Sequence, residues 1–191
     1  MTSDNLTVGD GGRGDLEAVM EVMDDSFDPR FGEAWTAAQC AGLLPMQGVV
    51  VRPRTCTDAK AFGAGEKTAK QVRTRGWTPW HWLHFLRSLP ADLTAEQMAQ
   101  LDAAFALTES GNAEILGEWL ELAARCRYEP AYERLESFLI EVGRRKFLTP
   151  IYRALASSEE GREQATKIYA KARPGYHAIS RGTIDGILRV K

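Results

Sequence analysis

The residues best suited to chemistry are three consecutive cations, Arg144-Arg145-Lys146, which lie between Gly143 and Phe147. Gly143 ends one amphipathic segment, and Phe147 begins the apolar stripe of the next. Cations in the first turn of a helix are disfavoured, because that end of the helix carries partial positive charge. A guanidinium binds a carboxylate through two parallel hydrogen bonds, and an ammonium adds a point charge. The spacing alone therefore leaves two interpretations open, a solvated basic turn or an anion-binding site.

The three histidines of the sequence, His81, His84 and His177, do not form a zinc-peptidase motif. Such a site needs His-Glu-x-x-His on one helix and a further Glu, which together supply three ligands and a general base. His81 and His84 are three residues apart with no Glu between them. No acid is placed to orient a Ser–His or Cys–His pair. We therefore expect no catalytic residue, no metal ligand and no cofactor within this sequence.

The composition is typical of a soluble globular protein. The chain has 191 residues, of which 44% are hydrophobic and 26% charged, with a formal net charge of −2. No apolar run approaches the ~20 residues of a membrane-spanning helix, and the first residues lack a basic-then-apolar signal pattern. Cys40, Cys56 and Cys126 are odd in number and far apart, which indicates reduced thiols. The sequence thus predicts a cytoplasmic protein that does not bind a membrane.

The charge is distributed unevenly and divides the chain into three segments. Residues 1–50 are acidic, residues 51–75 are basic, and residues 76–191 carry balanced charge. Residues 51–75 have little periodicity and few large apolar residues, which predicts a disordered linker with at most a partial helix near Glu66–Arg73. This basic segment has no aromatic stacking platform, so we expect no nucleic-acid partner.

The first segment is predicted to form a short helical hairpin. Asp15 can cap one helix, and Thr36 with Gln39 forms a capping box for a second. The apolar run Gly48–Val51 could then begin a strand.

From the end of the linker onward, every local signal indicates helix. Thr78, Thr94, Asn112 and Ser157 are predicted N-caps, and Pro150 is tolerable only in a first turn. Seven helices joined by short loops are expected over 76–191. They predict an all-α fold in which antiparallel helix pairs stack as an armadillo-like right-handed superhelix. No clean sequence repeat separates this fold from a compact bundle.

Several motifs of residues 77–191 resemble the C-terminal helical domain of M1 zinc aminopeptidases of the leukotriene A(4) hydrolase type. These motifs are Trp82-Leu83-His84-Phe85-Leu86, Asn112-Ala113-Glu114-Ile115 with Trp119, and Gly143-Arg144-Arg145-Lys146-Phe147. In that family the arginine and lysine of Gly-Arg-x-Lys-Phe hold the carboxylate of the substrate. The resemblance thus implies that Arg144 and Lys146 bind a carboxylate, whereas Arg145 faces solvent. The zinc of the family belongs to a catalytic domain that this sequence lacks, which implies a chain inactive by itself.

A second resemblance concerns the N-terminal segment. Residues 14–20, Phe27, residues 32–36 and Gln39 resemble the opening helices of a GNAT-type N-acetyltransferase. That family needs a glycine-rich loop whose backbone N–H groups bind acetyl-CoA. The segment Lys60–Gly65 matches such a loop only superficially. The missing acetyltransferase body and the charge break suggest a fusion or a truncated reading frame.

Three functional hypotheses follow from the sequence. The first is an aminopeptidase C-terminal domain that retains the carboxylate-binding turn and pairs with an M1-type catalytic domain or with itself. The second is a helical-repeat module that binds peptides on its concave face. The third is a remnant of an N-acetyltransferase.

Overall fold

The computed structural model describes residues 6–10 and 49–189. Two strands come first, β1 (Leu6–Asp10) and β2 (Val49–Pro53). Eight α-helices follow in the described part: α1 (Arg54–Gly63), α2 (Pro79–Arg87), α3 (Ala95–Phe105), α4 (Ala113–Arg125), α5 (Tyr132–Glu141), α6 (Arg145–Leu155), α7 (Glu159–Ala172) and α8 (Ala178–Leu188). Short 3-10 turns lie at Ala69–Gln71, Glu129–Ala131 and Arg173–Gly175.

β1 and β2 form an antiparallel pair in which Val8 lies opposite Val51. The strand predicted to begin at Gly48–Val51 is present as β2, whereas β1 was not anticipated. The predicted helical hairpin and the acetyltransferase-like residues 14–39 lie outside the described residues.

The helices pack in two layers. In one layer α2, α4, α6 and α8 lie side by side in that order, and α5 packs against α7 in the other. The starts of α4, α6 and α8 lie side by side, because Lys146 Nζ donates to Glu114 Oε1 and Ser180 Oγ donates to the Gly143 carbonyl. From Arg54 onward the described chain is all-α, which confirms the predicted fold class and its antiparallel helix pairs. The seven helices predicted beyond the linker are all present among the described residues.

The core between the layers is apolar and contains hydrogen-bonded aromatic side chains. Trp119 of α4 is fully buried, and its Nε1 donates to Thr108 Oγ1 at 2.9 Å. The Thr108 hydroxyl in turn donates to Asp102 Oδ2 at 2.7 Å. A buried indole N–H needs such a partner, because leaving it unpaired in the core would be costly. The chain of hydrogen bonds therefore links α3 to α4 through their connecting loop.

The prediction of a disordered linker is wrong for residues 54–72. The phenyl ring of Phe62 in α1 is 1% exposed, and Ala59, Ala69 and Val72 are also buried. α1 packs against α2, and Gln97 Nε2 donates to the carbonyls of Phe62 at 3.3 Å and Gly63 at 3.1 Å. These apolar residues are too few and too irregularly spaced to show a pattern, but the neighbouring helices provide the surface that buries them. The partial helix expected near Glu66–Arg73 is a single 3-10 turn.

The segment that superficially matched an acetyl-CoA loop is the C-terminal end of α1. Gly65 has a φ of +76°, which favours glycine, and its N–H donates to the Phe62 carbonyl at 3.0 Å. The N–H of Glu66 donates to the Ala61 carbonyl at 2.9 Å. A Cβ added at Gly63 would lie 2.4 Å from Pro90 Cγ, so this glycine allows close packing. Backbone N–H groups of this segment thus terminate a helix.

Two local predictions in the helical part are also wrong. The N-cap of α7 is Ser158, not Ser157, and its Oγ accepts from the N–H of Gly161 at 3.1 Å. Pro150 lies inside α6, past its first turn. Proline cannot donate to the Lys146 carbonyl four residues earlier, so α6 lacks one internal hydrogen bond at this point.

Candidate carboxylate-binding site

The three cations Arg144, Arg145 and Lys146 form the start of α6. Arg144 is the N-cap residue, with an extended backbone, and its carbonyl accepts from the N–H groups of Phe147 at 3.0 Å and Leu148 at 3.2 Å. All three cationic residues are exposed. The helix dipole disfavours cations at this end, as the sequence predicts, so the turn attracts negative charge.

Phe147 holds two of these cations around one aromatic ring. Its side chain is 7% exposed and packs edge-on against Phe138, with ring centroids 5.8 Å apart. The Lys146 Nζ lies 4.7 Å from the ring centroid of Phe147, and the Arg144 Cζ lies 6.0 Å from it. Both distances suit cation–π contact. The structure therefore brings together the two residues to which the family resemblance gave a carboxylate-binding role.

The ring of Phe147 is itself positioned by a close approach of α4 and α6. A Cβ added at Gly117 of α4 would lie 2.9 Å from Phe147 Cδ1, closer than real Cβ contacts. Only glycine at this position leaves room for the ring. The separation of the two helices at the basic turn is thus set by one missing side chain.

Lys146 has a carboxylate partner that sequence reasoning did not assign to the site. Its Nζ donates to Glu114 Oε1 in the first turn of α4. Asn112 caps this helix, and its Oδ1 accepts from the N–H of Glu114 at 2.9 Å. Within the described ranges, no Asp or Glu forms an ion pair with Arg144 or Arg145. The arginines of the turn therefore keep their charge available.

Ser180 of α8 supports the turn from the other side. The side chain is buried, and its Oγ donates to the Gly143 carbonyl at 3.1 Å. Sequence reasoning missed Ser180 because a serine in a helix carries no local signal of a contact 37 residues away. The sequence contains only a weak signal for Glu114, namely that it is the second residue of α4 and Lys146 is the second residue of α6.

The first turns of α4, α6 and α8 lie along one edge of the two-layer stack, here called the N-terminal edge. Trp80 in the first turn of α2 is 77% exposed, and Ile179 in the first turn of α8 is 61% exposed. Ile140, 41% exposed, lies at the end of α5, next to the turn that begins α6. These three are the exposed large hydrophobic residues of the described chain. The N-terminal edge therefore combines basic and apolar exposed groups.

The three histidines contact separate groups, and His177 Nδ1 accepts from the N–H of Ile179 at 3.3 Å. His81 Nδ1 accepts from the N–H of Thr78 at 3.1 Å and completes the cap of α2. His84 Nδ1 lies 2.9 Å from Thr55 Oγ1, which joins α2 to α1. The described ranges contain no group of three His, Cys, Asp or Glu residues that could hold a metal ion. None of the helices in these ranges is long and apolar enough to cross a membrane.

The fold matches solved structures of one class of protein. Native yeast LTA4 hydrolase superposes with a TM-score of 0.59 at 21% sequence identity, over 70% of this chain and 25% of that chain. The same enzyme in complex with bestatin gives a TM-score of 0.59 at 18% identity, over 71% of this chain and 25% of that chain. At these identities the likeness shows that the fold is shared.

Sequence comparison gives the family. The profile described as leukotriene A4 hydrolase, C-terminal, matches residues 77–188. Leucine aminopeptidase 2 of Neurospora crassa is 37% identical over 135 residues, which cover 69% of this chain and 20% of that protein. Leukotriene A-4 hydrolase of Xenopus laevis is 29% identical over 92 residues, which cover 48% of this chain and 15% of that protein. The chain belongs to the family of the leukotriene A4 hydrolase C-terminal domain and spans about a fifth of the length of its relatives.

Proposed function

We propose that this chain acts as the C-terminal helical domain of an M1-type metallo-aminopeptidase and that Arg144 and Lys146 bind the C-terminal carboxylate of a peptide. The observation that carries the proposal is the pair of exposed cations held around the ring of Phe147 at the start of α6. Peptide hydrolysis requires a zinc-bearing domain in addition, because this sequence has no His-Glu-x-x-His motif.

The two cations have different tasks in this proposal. Arg144 offers a planar fork that can donate two hydrogen bonds to one carboxylate. Lys146 adds a second positive charge beside it, over the same ring. Exposed ion pairs are individually weak, so affinity in the isolated chain is expected to be low. Specificity comes from the pairing of the two groups.

Peptide titration followed by NMR or calorimetry tests the site. N-acetyl-alanyl-alanine with a free carboxylate should bind, and its C-terminal amide should not. Arg144→Ala should weaken binding about tenfold, because a hydrogen bond to a charged group contributes roughly 1.5 kcal/mol. Lys146→Ala should also weaken it.

Arg145→Ala is the matched control, since it removes the same charge from the same exposed turn. Binding that falls equally in all three variants would indicate a nonspecific electrostatic attraction. Binding that is indifferent to both Arg144→Ala and Lys146→Ala would instead favour a helical-repeat module that binds peptides elsewhere.

The N-terminal edge supports a proposal about partners. Trp80, Ile140 and Ile179 are exposed and would be covered by a catalytic domain or by a second copy of this chain. Light scattering after size-exclusion chromatography should detect self-association, or complex formation when an M1-type catalytic domain is added. A chain that stays monomeric at high concentration and does not bind the catalytic domain would contradict this proposal about partners.

An activity assay with zinc analysis tests the proposal that hydrolysis requires a separate zinc-bearing domain. The purified chain should show no aminopeptidase turnover by itself. Turnover with stoichiometric zinc would overturn the proposal. We also propose a cytoplasmic location, which rests on the odd number of cysteines and is tested by cell fractionation.

A further inference from the structure

We infer that Glu114 is an internal competitor at the carboxylate site, which occupies Lys146 in the absence of ligand and lowers the affinity for an incoming carboxylate. This inference rests on the proposed function of Arg144 and Lys146. It assigns to Glu114 a regulatory contribution at the same site.

The contact between Glu114 and Lys146 has the properties of a displaceable pair. The Lys146 Nζ donates to Glu114 Oε1, and the two side chains are 45% and 42% exposed. Ion pairs with this exposure are weak and are exchanged readily for other partners. A ligand carboxylate can therefore reach Lys146, but only in competition with a carboxylate already there.

Glu114 stays near the turn even when Lys146 is engaged elsewhere. Its backbone N–H is held by Asn112 Oδ1, and its place in the first turn of α4 favours a negative charge. The close packing of Gly117 against Phe147 fixes α4 beside α6. A bound ligand carboxylate therefore meets Glu114 as a nearby like charge.

Arg144 has no such competing carboxylate among the described residues. Among the described residues no carboxylate pairs with it, and its guanidinium lies beside the same ring as Lys146. The geometry makes Arg144 the main contact for a ligand with one carboxylate. Lys146, partly neutralised by Glu114, contributes less.

The test titrates the full chain with N-acetyl-alanyl-alanine and with its C-terminal amide. Glu114→Gln keeps the size of the side chain and removes its charge, so the Kd for the free carboxylate should fall about threefold. The matched control is Glu118→Gln, which is one turn further along α4 and pairs with Arg87 instead. This control should leave the Kd unchanged.

Salt distinguishes competition by charge from a structural effect. In 1 M NaCl the Debye length is about 3 Å, so the difference in Kd between wild type and Glu114→Gln should become smaller. A difference that is undiminished in high salt would overturn the inference.

The outcomes separate this inference from the proposed function. If binding depends on Arg144 but Glu114→Gln leaves the Kd unchanged or raises it, only the inference about Glu114 fails. If Arg144→Ala has no effect on binding, the proposed function fails. Absence of binding in both wild type and Glu114→Gln overturns both.

Discussion

Replacing Phe62 by alanine tests whether α1 belongs to the same folding unit as the family-matched helices. Phe62 is 1% exposed, and its backbone carbonyl accepts a hydrogen bond from Gln97 of α3. A buried phenylalanine removes about 150–250 Å² from water, which gives an upper bound of roughly 4–6 kcal/mol for its burial. Phe→Ala substitutions in cores cost about 3–5 kcal/mol in free energy of unfolding, and we expect a loss in this range.

Urea denaturation of the full chain, followed by circular dichroism and tryptophan fluorescence, measures this loss. Both signals should shift together, since α1 packs on α2, which contains Trp82. The thermal midpoint should fall by roughly 10 °C, because 1 kcal/mol corresponds to about 2–4 °C in a chain of this size. Lys70→Ala, at an exposed position of the same segment, is the control. A loss below about 1 kcal/mol for Phe62→Ala would refute the packing argument.

Three further predictions concern the core and the site. Asp102 accepts hydrogen bonds from the N–H and the hydroxyl of Thr108, at 2.9 and 2.7 Å. Asp102→Ala should therefore lower the free energy of unfolding, measured by urea denaturation, by about 2–3 kcal/mol. A loss within experimental error would contradict this role of Asp102. Burial raises the pKa of both Tyr169 and Tyr176 to about 12, so the folded state holds these protons more tightly than the unfolded state. The contribution of these two tyrosines to the free energy of unfolding should therefore be fully present below pH 10 and decline between pH 10 and 12. Denaturation curves that do not change over this range would refute the prediction. Gly117→Ala should displace the ring beneath Lys146 and weaken carboxylate binding several-fold, while the gain of about 1 kcal/mol in helix propensity offsets part of the strain. Unchanged affinity in that variant would show that the ring does not position the cations.

Local signals were sufficient to predict the helices beyond residue 76. The predicted N-cap Thr94 forms a capping box with Gln97, and Trp77, just before the N-cap Thr78, packs against Trp82 with ring centroids 4.8 Å apart. Such signals act within a few residues of one another, so the sequence displays them directly. α1 escaped prediction because its stability comes from contacts with helices that are distant in sequence.

The candidate site, too, could be predicted only where its residues are close in sequence. The motif around Arg144 and Lys146 is local, and the structure places both residues around the ring of Phe147. Glu114 lies 32 residues from Lys146 in sequence, and Ser180 lies 37 residues from Gly143. Whether such residues meet depends on how α4, α6 and α8 pack, which periodicity does not specify.

The burial of α1 also constrains the evolutionary history of the chain. A recombination junction at residue 76, where the charge balance changes, would have removed Phe62 and Val72 from the apolar core of the helical part. A junction before residue 54 would have kept that core complete. If a foreign N-terminal segment was joined to this domain, natural selection would have favoured the earlier breakpoint, and the basic segment 54–75 would then be inherited with the helices it packs against.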